Sequence, residues 1–347
     1  MTKKNKKIDD KIRVLGTGLL ALDIVLNGSK KTKPKLLAGG SFGNVITILS
    51  YLGLETYPIA RLAANKTTNF ILDDIKHWKV NTKLIFKEEK GSTPIIIHRI
   101  LKDKQGIPRH KFEFRNPING NWLPSFRPFL AKNIQTIENS IPKSQLFYFD
   151  RVSRSSIDLA KLAKKNGALV YFEPSSYKDS KQFHECLDIS DIIKYSKDRI
   201  KNYRTLFPKT NATLEIETDG AQGVNYRFKS SKWKPLRPFY LEDIIDAAGA
   251  GDWCSAGIMK TIAGNGDLKK QTSRQIESAI NFGQAQGAIN CLFEGARGAM
   301  YNLKLESFIK LTEQLISKGQ IDKELKINSV PKKELTYTSV ERLFKTL

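Results

Sequence analysis

A mostly parallel β-sheet covered by helices on both faces, with a small antiparallel flap beside it, is the fold this sequence predicts. Two patterns carry that expectation. Short apolar strands alternate with helical stretches along most of the 347 residues. Residues 83–114 break the rhythm, because IIIHRILKDKQGIPRHKFEF reads as two strands around a Lys-Gln-Gly turn. Length and a hydrophobic content of 40% agree with one large core carrying a small appendage.

In chain order, Ile12 to Leu15 reads as a short apolar strand and Asn44 to Leu52 as a helix. Thr56 to Leu62 reads as a strand, and Thr67 to Trp78 as an amphipathic helix. After the flap, RNPINGNWLPSFRP is rich in Pro and Asn and reads as a loop returning to the core. Four strands then recur at Gln145 to Phe149, Ala168 to Phe172, Asp191 to Tyr195 and Ala212 to Glu217, all but the last followed by a helical stretch such as Ser155 to Lys165. Beyond Met300 the chain reads as a polar helix and a Lys-rich tail.

Composition narrows the function classes. No apolar run reaches the length of a membrane span, and MTKKNKKIDDKIR lacks the apolar middle of a secretory signal, so a cytoplasmic protein without membrane association is expected. The three cysteines and four histidines are scattered, which argues against a disulfide framework or a structural zinc. A net charge of +23 is spread along nearly the whole chain. It fits a solvated lysine-rich surface, or an anionic partner such as a nucleotide, a phosphorylated metabolite or, less favoured, nucleic acid.

The chemistry concentrates in DAAGAGDWCSAG, Asp246 to Gly257. A glycine turn opening a helix aims N–H groups at an anion, here a transferring phosphoryl group, while Asp252 is placed to accept a proton from an attacking hydroxyl. Gly249 and Gly251 permit the tight backbone, and small Ala250 leaves room. No G-x-x-x-x-G-K-[ST] phosphate loop occurs.

DAAGAGDWCSAG resembles the C-terminal signature of the PfkB, or ribokinase-like, carbohydrate and nucleoside kinases, and AGGSFGNVITILSYLG at Ala38 to Gly53 resembles their N-terminal signature. GTGLLALD, TDGAQG and AINFGQAQGAINCLFEGARG follow the family's order. The resemblance implies a three-layer α/β/α sandwich with a small β-sheet lid over residues 13–303, the lid segments lying near 19–39 and 83–115. A basic tail, 1–12, would precede it and a helical extension, 304–347, would follow.

It also implies ATP and Mg2+ as cofactors, K+ as a further one, and a sugar, sugar phosphate or nucleoside as hydroxyl acceptor. Asp23, Gly39, Gly40 and Asn44 would bind the acceptor. Asp252 would be the base, and Gly249, Ala250 and Gly251 the anion hole. Thr218, Gly220, Gly223 and Asn281 would lie beside the nucleotide. Asp246 would either coordinate a monovalent cation or tie down the turn by hydrogen bonds. A homodimer would form through the lid.

The chain departs from the family pattern in places. KYSKDR offers Ser196 and Arg199 where many members carry Asn-x-x-Glu, with Asp198 adjacent. Glu173-Pro174-Ser175 replaces Asp-Pro-Asn, and Trp253 and Ile46 stand where small residues are usual. Two other classes fit parts of the sequence. Gly16-Thr17-Gly18 to Ala21 satisfies a loose dinucleotide pattern, but Leu22 to Leu26 continues as a strand where that motif needs a helix. A non-catalytic nucleotide or nucleic-acid binder on the same fold is suggested by Arg199 and the charge. Among the basic residues of the flap, Arg99, Lys102, Lys104, Arg109 and Lys111, alternation would aim some inward as a clamp for a phosphorylated acceptor.

Overall fold

The structure, a computed structural model, describes residues 11–27, 33–102, 108–321 and 343–344. The strands in chain order are β1 (Arg13–Thr17), β2 (Ala21–Asn27), β3 (Lys35–Gly39), β4 (Glu55–Ala63), β5 (Ile85–Glu88), β6 (Ile95–Lys102) and β7 (Pro108–Glu113). They continue with β8 (Leu146–Phe149), β9 (Leu169–Phe172), β10 (Ile192–Ser196), β11 (Leu214–Thr218), β12 (Val224–Phe228) and β13 (Lys234–Leu236). The helices are α1 (Ser41–Tyr51), α2 (Lys66–His77), α3 (Ile134–Ile137), α4 (Arg154–Lys165) and α5 (Lys181–Ile189). After them come α6 (Tyr203–Leu206), α7 (Ala250–Gly264), α8 (Ser273–Asn290), α9 (Gly298–Asn302) and α10 (Leu305–Lys318).

A nine-stranded sheet runs β13-β12-β11-β10-β9-β8-β1-β4-β5, parallel from β11 to β5 and antiparallel at β12 and β13. Its interior strands are apolar on both faces, as helices on both sides require. Val14, Leu146, Tyr148 and Ile192 enter one buried cluster with Leu49, Ile71, Ile258 and Ile280. Their neighbours Leu15, Phe147, Phe149 and Ile193 enter the other, with Ile157 and Phe183. A second, four-stranded sheet, β3-β2-β6-β7, forms the lid. Ile85–Glu88 is not part of it: β5 pairs with β4 at the edge of the main sheet. The Lys-Gln-Gly turn with Lys104, the tail 1–10, most of the C-terminal extension, and the side chains of Lys102 and Arg109 lie outside the described residues.

Asn65, Ser153, Ser180 and Thr272 cap α2, α4, α5 and α8 with side-chain oxygens, each such cap stabilising by about 1 kcal/mol. Helices α1 and α7 instead start after glycines at positive φ, Gly40 at 75° and Gly249 at 77°, with no side-chain cap. Of their first N–H groups, Gly43 donates to the Leu19 carbonyl at 3.1 Å and Ala250 to the Ala247 carbonyl at 3.3 Å. The early start of α1 comes from the same turn: Gly40 reverses the backbone, so the helix opens at Ser41 and carries Asn44 within its first turn.

Helices α7 and α8 approach so closely that a Cβ at Gly287 would lie 2.6 Å from the Ala250 carbonyl oxygen. Trp253 is fully buried against Tyr51 and Phe308, and its Nε1 donates to the Ala296 carbonyl at 3.2 Å. The large residue after Asp252 is thus a core anchor for α7, and Ile46 is likewise core. No helix among the described residues is long and apolar enough to cross a membrane.

Candidate active site

Gly39, Gly40 and the start of α1 meet the start of α7 above the carboxyl ends of the parallel strands, where ligands of open α/β sheets bind. The joining contact is direct: Asn44 Nδ2 donates to Asp252 Oδ2 at 2.8 Å. Asp252 is the third residue of α7 and so lies in its first turn, with Gly249 taking the capping position. Burial, then the neighbouring Glu173 carboxylate, pushes the Asp252 carboxyl up to about 7 against the pull of Asn44, Lys194 and Arg199.

Asp23 projects from β2 beside β3, opposite Leu37. Its carboxylate lies over Gly39, where an added Cβ would sit 2.0 Å from Asp23 Oδ2. Burial raises the Asp23 carboxyl to about 7, with Arg297 and the Gly40 N–H opposing. Asp23 Oδ1 is buried without a partner among the described residues.

On the other side, Thr218 ends β11 beside Ser196 of β10. Gly220 and Gly223 bracket a short turn at φ 51° and 92°, closed by Gly223 N–H to the Gly220 carbonyl at 3.2 Å. Asn281 lies on α8, where its Oδ1 accepts from Gln284 at 3.4 Å. Arg199 and Asp198 are both exposed, and among the described residues no three His, Cys, Asp or Glu side chains form a metal-binding cluster.

Asp246 ties the turn before Gly249 to the loop after α8. Its Oδ1 accepts from Ala248 N–H and its Oδ2 from Gly295 N–H, each at 3.0 Å, and His98 Nε2 lies 3.7 Å from Oδ2. Among the described side chains of the lid, Arg99 and Lys111 do not turn inward as a clamp. Asp23 is in register with Ile96, so alternation puts Arg99 on the opposite face, where it and Lys111 bond Glu113 at 2.7 and 3.1 Å.

Three side chains at the site escaped the sequence reading as functional candidates: Lys194, Glu173 and Ser255. Lys194 Nζ donates to Glu173 Oε1 at 2.5 Å and to the Gly251 carbonyl at 3.2 Å. The available signal was a lysine inside an otherwise apolar strand, DIIKYS.

A parallel sheet with helices on both faces, a β lid, and an aspartate in the first turn of a glycine-capped helix define the ribokinase-like kinase class. Residues 11–302 match the pfkB family carbohydrate kinase, and the chain belongs to that family. It is 23% identical over 296 residues to the probable chloroplastic fructokinase-6 of Arabidopsis thaliana, covering 77% of this chain and 72% of that protein. An ATP-dependent ribose-1-phosphate kinase of Halopiger xanaduensis is 25% identical over 147 residues, 41% of this chain and 46% of that one. The fold matches the crystal structure of a fructokinase with bound ATP from Xylella fastidiosa at a TM-score of 0.66 and 19% identity, covering 86% of this chain and 98% of that one.

Proposed function

We propose that the protein transfers the γ-phosphoryl group of ATP to a hydroxyl of a sugar, sugar phosphate, nucleoside or related polyol. The observation that carries this is the Asn44–Asp252 bond, which joins an acceptor-side Gly-Gly-Asn turn to a buried carboxylate at an uncapped helix start. Asp23 and Asn44 hold the acceptor, the unpartnered Asp23 Oδ1 taking a hydroxyl proton donor. Asp252 accepts the proton of the attacking hydroxyl. The acceptor oxygen bonds to the γ-phosphorus as the bond to the β,γ-bridging oxygen breaks, and ADP leaves. The Gly249-Ala250-Gly251 turn is the anion hole. N–H groups of Gly251 and Asp252, whose i−4 residues precede α7, face the transferring group.

Thr218, Gly220, Gly223 and Asn281 form the nucleotide side of this proposal. Arg199 offers no carboxylate to magnesium, so the Mg2+ accompanying ATP would rest on its phosphates, and no step here depends on the ion. Each Asp246 oxygen keeps a lone pair beyond its backbone bond, the donor a K+ ion would use to add positive charge behind the turn.

Turnover requires ionised Asp252, so kcat should rise with pH through about 7, the value to which burial and Glu173 raise it. A rate independent of pH from 5 to 9 would remove Asp252 from the base role. Asp23→Ala should raise the acceptor KM by roughly tenfold or more while leaving ATP binding intact, since a hydrogen bond to a charged group contributes about 1.5–3 kcal/mol. An unchanged KM would take Asp23 out of the site.

The lid leaves Phe112, Phe114, Ile118 and Trp122 exposed, Trp122 at 70%. A homodimer through this surface is part of the proposal. Light scattering should show a dimer that Phe114→Asp converts to monomer, and a monomer at all concentrations would refute it. The function itself is tested by ADP release across sugars, sugar phosphates and nucleosides. At least one acceptor should stimulate release well above ATP alone, and silence across the panel with ATP still bound would overturn the reading.

A further inference from the structure

Lys194 occupies an unusual place. Its side chain is 2% exposed on β10, an interior strand of the main sheet. Lysine is almost never buried so fully unless paired. The pairing here reaches the site. Besides Lys194, Glu173 accepts from Ser255 Oγ at 2.5 Å and Tyr148 Oη at 3.1 Å, both through Oε2. Ser255 Oγ lies 3.1 Å from the Gly251 carbonyl as well, and Lys194 Nζ donates to that carbonyl from beneath at 3.2 Å.

A peptide group is planar and trans, so its C=O and the next N–H point in opposite directions. Holding the Gly251 carbonyl down toward the sheet therefore aims the Asp252 N–H away from it, toward the mouth of the site.

We propose that Lys194, itself anchored by Glu173, is a positioning residue for phosphoryl transfer, bonding the Gly251 carbonyl and offsetting the Glu173 charge that faces the base. This rests on Asp252 being the base. The charged and titratable groups around Asp252 come from several elements: Glu173 after β9, Lys194 on β10, Arg199 after it, Tyr148 on β8 and Cys254 on α7, with the neutral Asn44 of α1 bonded to it. Burial opposes the Lys194 charge, but Glu173 beside it raises the ammonium's pKa on balance, so Lys194 stays charged across the working range. With it gone, the Glu173 carboxylate would face Asp252 uncompensated. A like charge makes a carboxyl hold its proton to higher pH.

The test compares kcat against pH, on an acceptor found in the panel, for the native protein, Lys194→Met, Glu173→Gln and the double variant, with thermal melts to establish folding. Lys194→Met should lower the plateau kcat by about tenfold or more, as loss of an anion-hole support does, with a smaller change in acceptor KM. Its acid limb should move upward by about one pH unit. Adding Glu173→Gln should bring the limb back to or below the native position while the plateau stays low. A folded Lys194→Met with native plateau and limb would overturn the proposal. So would a double variant whose limb stays displaced. If Lys194→Met does not fold, Glu173→Gln alone decides, its limb moving downward if the proposal holds and standing still if it fails. Failure of the base reading shows separately, as an active Asp252→Asn.

Discussion

Asp252→Asn should bind ATP as the native protein does yet turn over its acceptor about 10²–10⁴ times more slowly, the usual contribution of a positioned general base. The amide keeps the volume of the carboxylate and an oxygen for the Asn44 Nδ2 bond, so the site geometry should survive. What is lost is a group able to take the hydroxyl proton. The loss should appear in kcat and kcat/KM alike, because the interaction belongs to the transition state. Single-turnover kinetics with saturating ATP measures it directly. A variant within threefold of native turnover would show that the proton leaves by another route.

Gly249→Ala should damage both stability and turnover. The residue caps α7 at φ 77°, and a Cβ there would lie 2.0 Å from the Ala296 carbonyl oxygen, a backbone atom that cannot swing aside. The left-handed conformation alone costs an L-residue roughly 1–2 kcal/mol, and overpacking adds about 1–3 kcal/mol. Gly319 separates the two contributions. It caps the end of α10 at φ 71° with nothing within 4 Å of the position of its Cβ, so Gly319→Ala bears the conformational cost without the clash. Denaturant titration should find Gly249→Ala clearly the less stable, with turnover depressed as the anion-hole turn shifts. Equal losses at the two positions would mean that the clash relaxes without consequence.

The features legible in the sequence are those where chemistry forces a residue type. Only glycine is comfortable at the positive φ of Gly40 and Gly249, so the turns that open α1 and α7 are written as glycines, and both were readable. The interior strands were readable as well, since burial on both faces demands runs such as Leu146–Phe149. Where partners decide the matter, sequence was mute. Ile85–Glu88 carries no pattern that says which sheet it joins, and only pairing with β4 places it. The same holds for charge. Arg99 in a strand could face either way, and its bond to Glu113 follows from the register of β6 with β7. Lys194 stands out only as a lysine within the strand DIIKYS, and its partner is seen once β9 and β11 flank it and Glu173 meets its ammonium. Arg297 is a further case. Within AINFGQAQGAINCLFEGARG it reads as loop, yet it is fully buried, bonded to Asp74 at 2.6 Å and to the Ala38 carbonyl. Asp74 in turn accepts from Ala38 N–H at 2.8 Å, so the pair covers the free edge of β3 and holds the strand that presents Gly39 and Gly40.

The central claim is transfer of the phosphoryl group to a hydroxyl. It is tested most directly by following the γ-phosphate of labelled ATP in the presence of the acceptor that best stimulates ADP release. The account predicts label recovered on the acceptor in amounts matching the ADP formed, with both products from Asp252→Asn forming about 10²–10⁴ times more slowly. Label appearing only as inorganic phosphate, at the same rate with and without the acceptor, would contradict it.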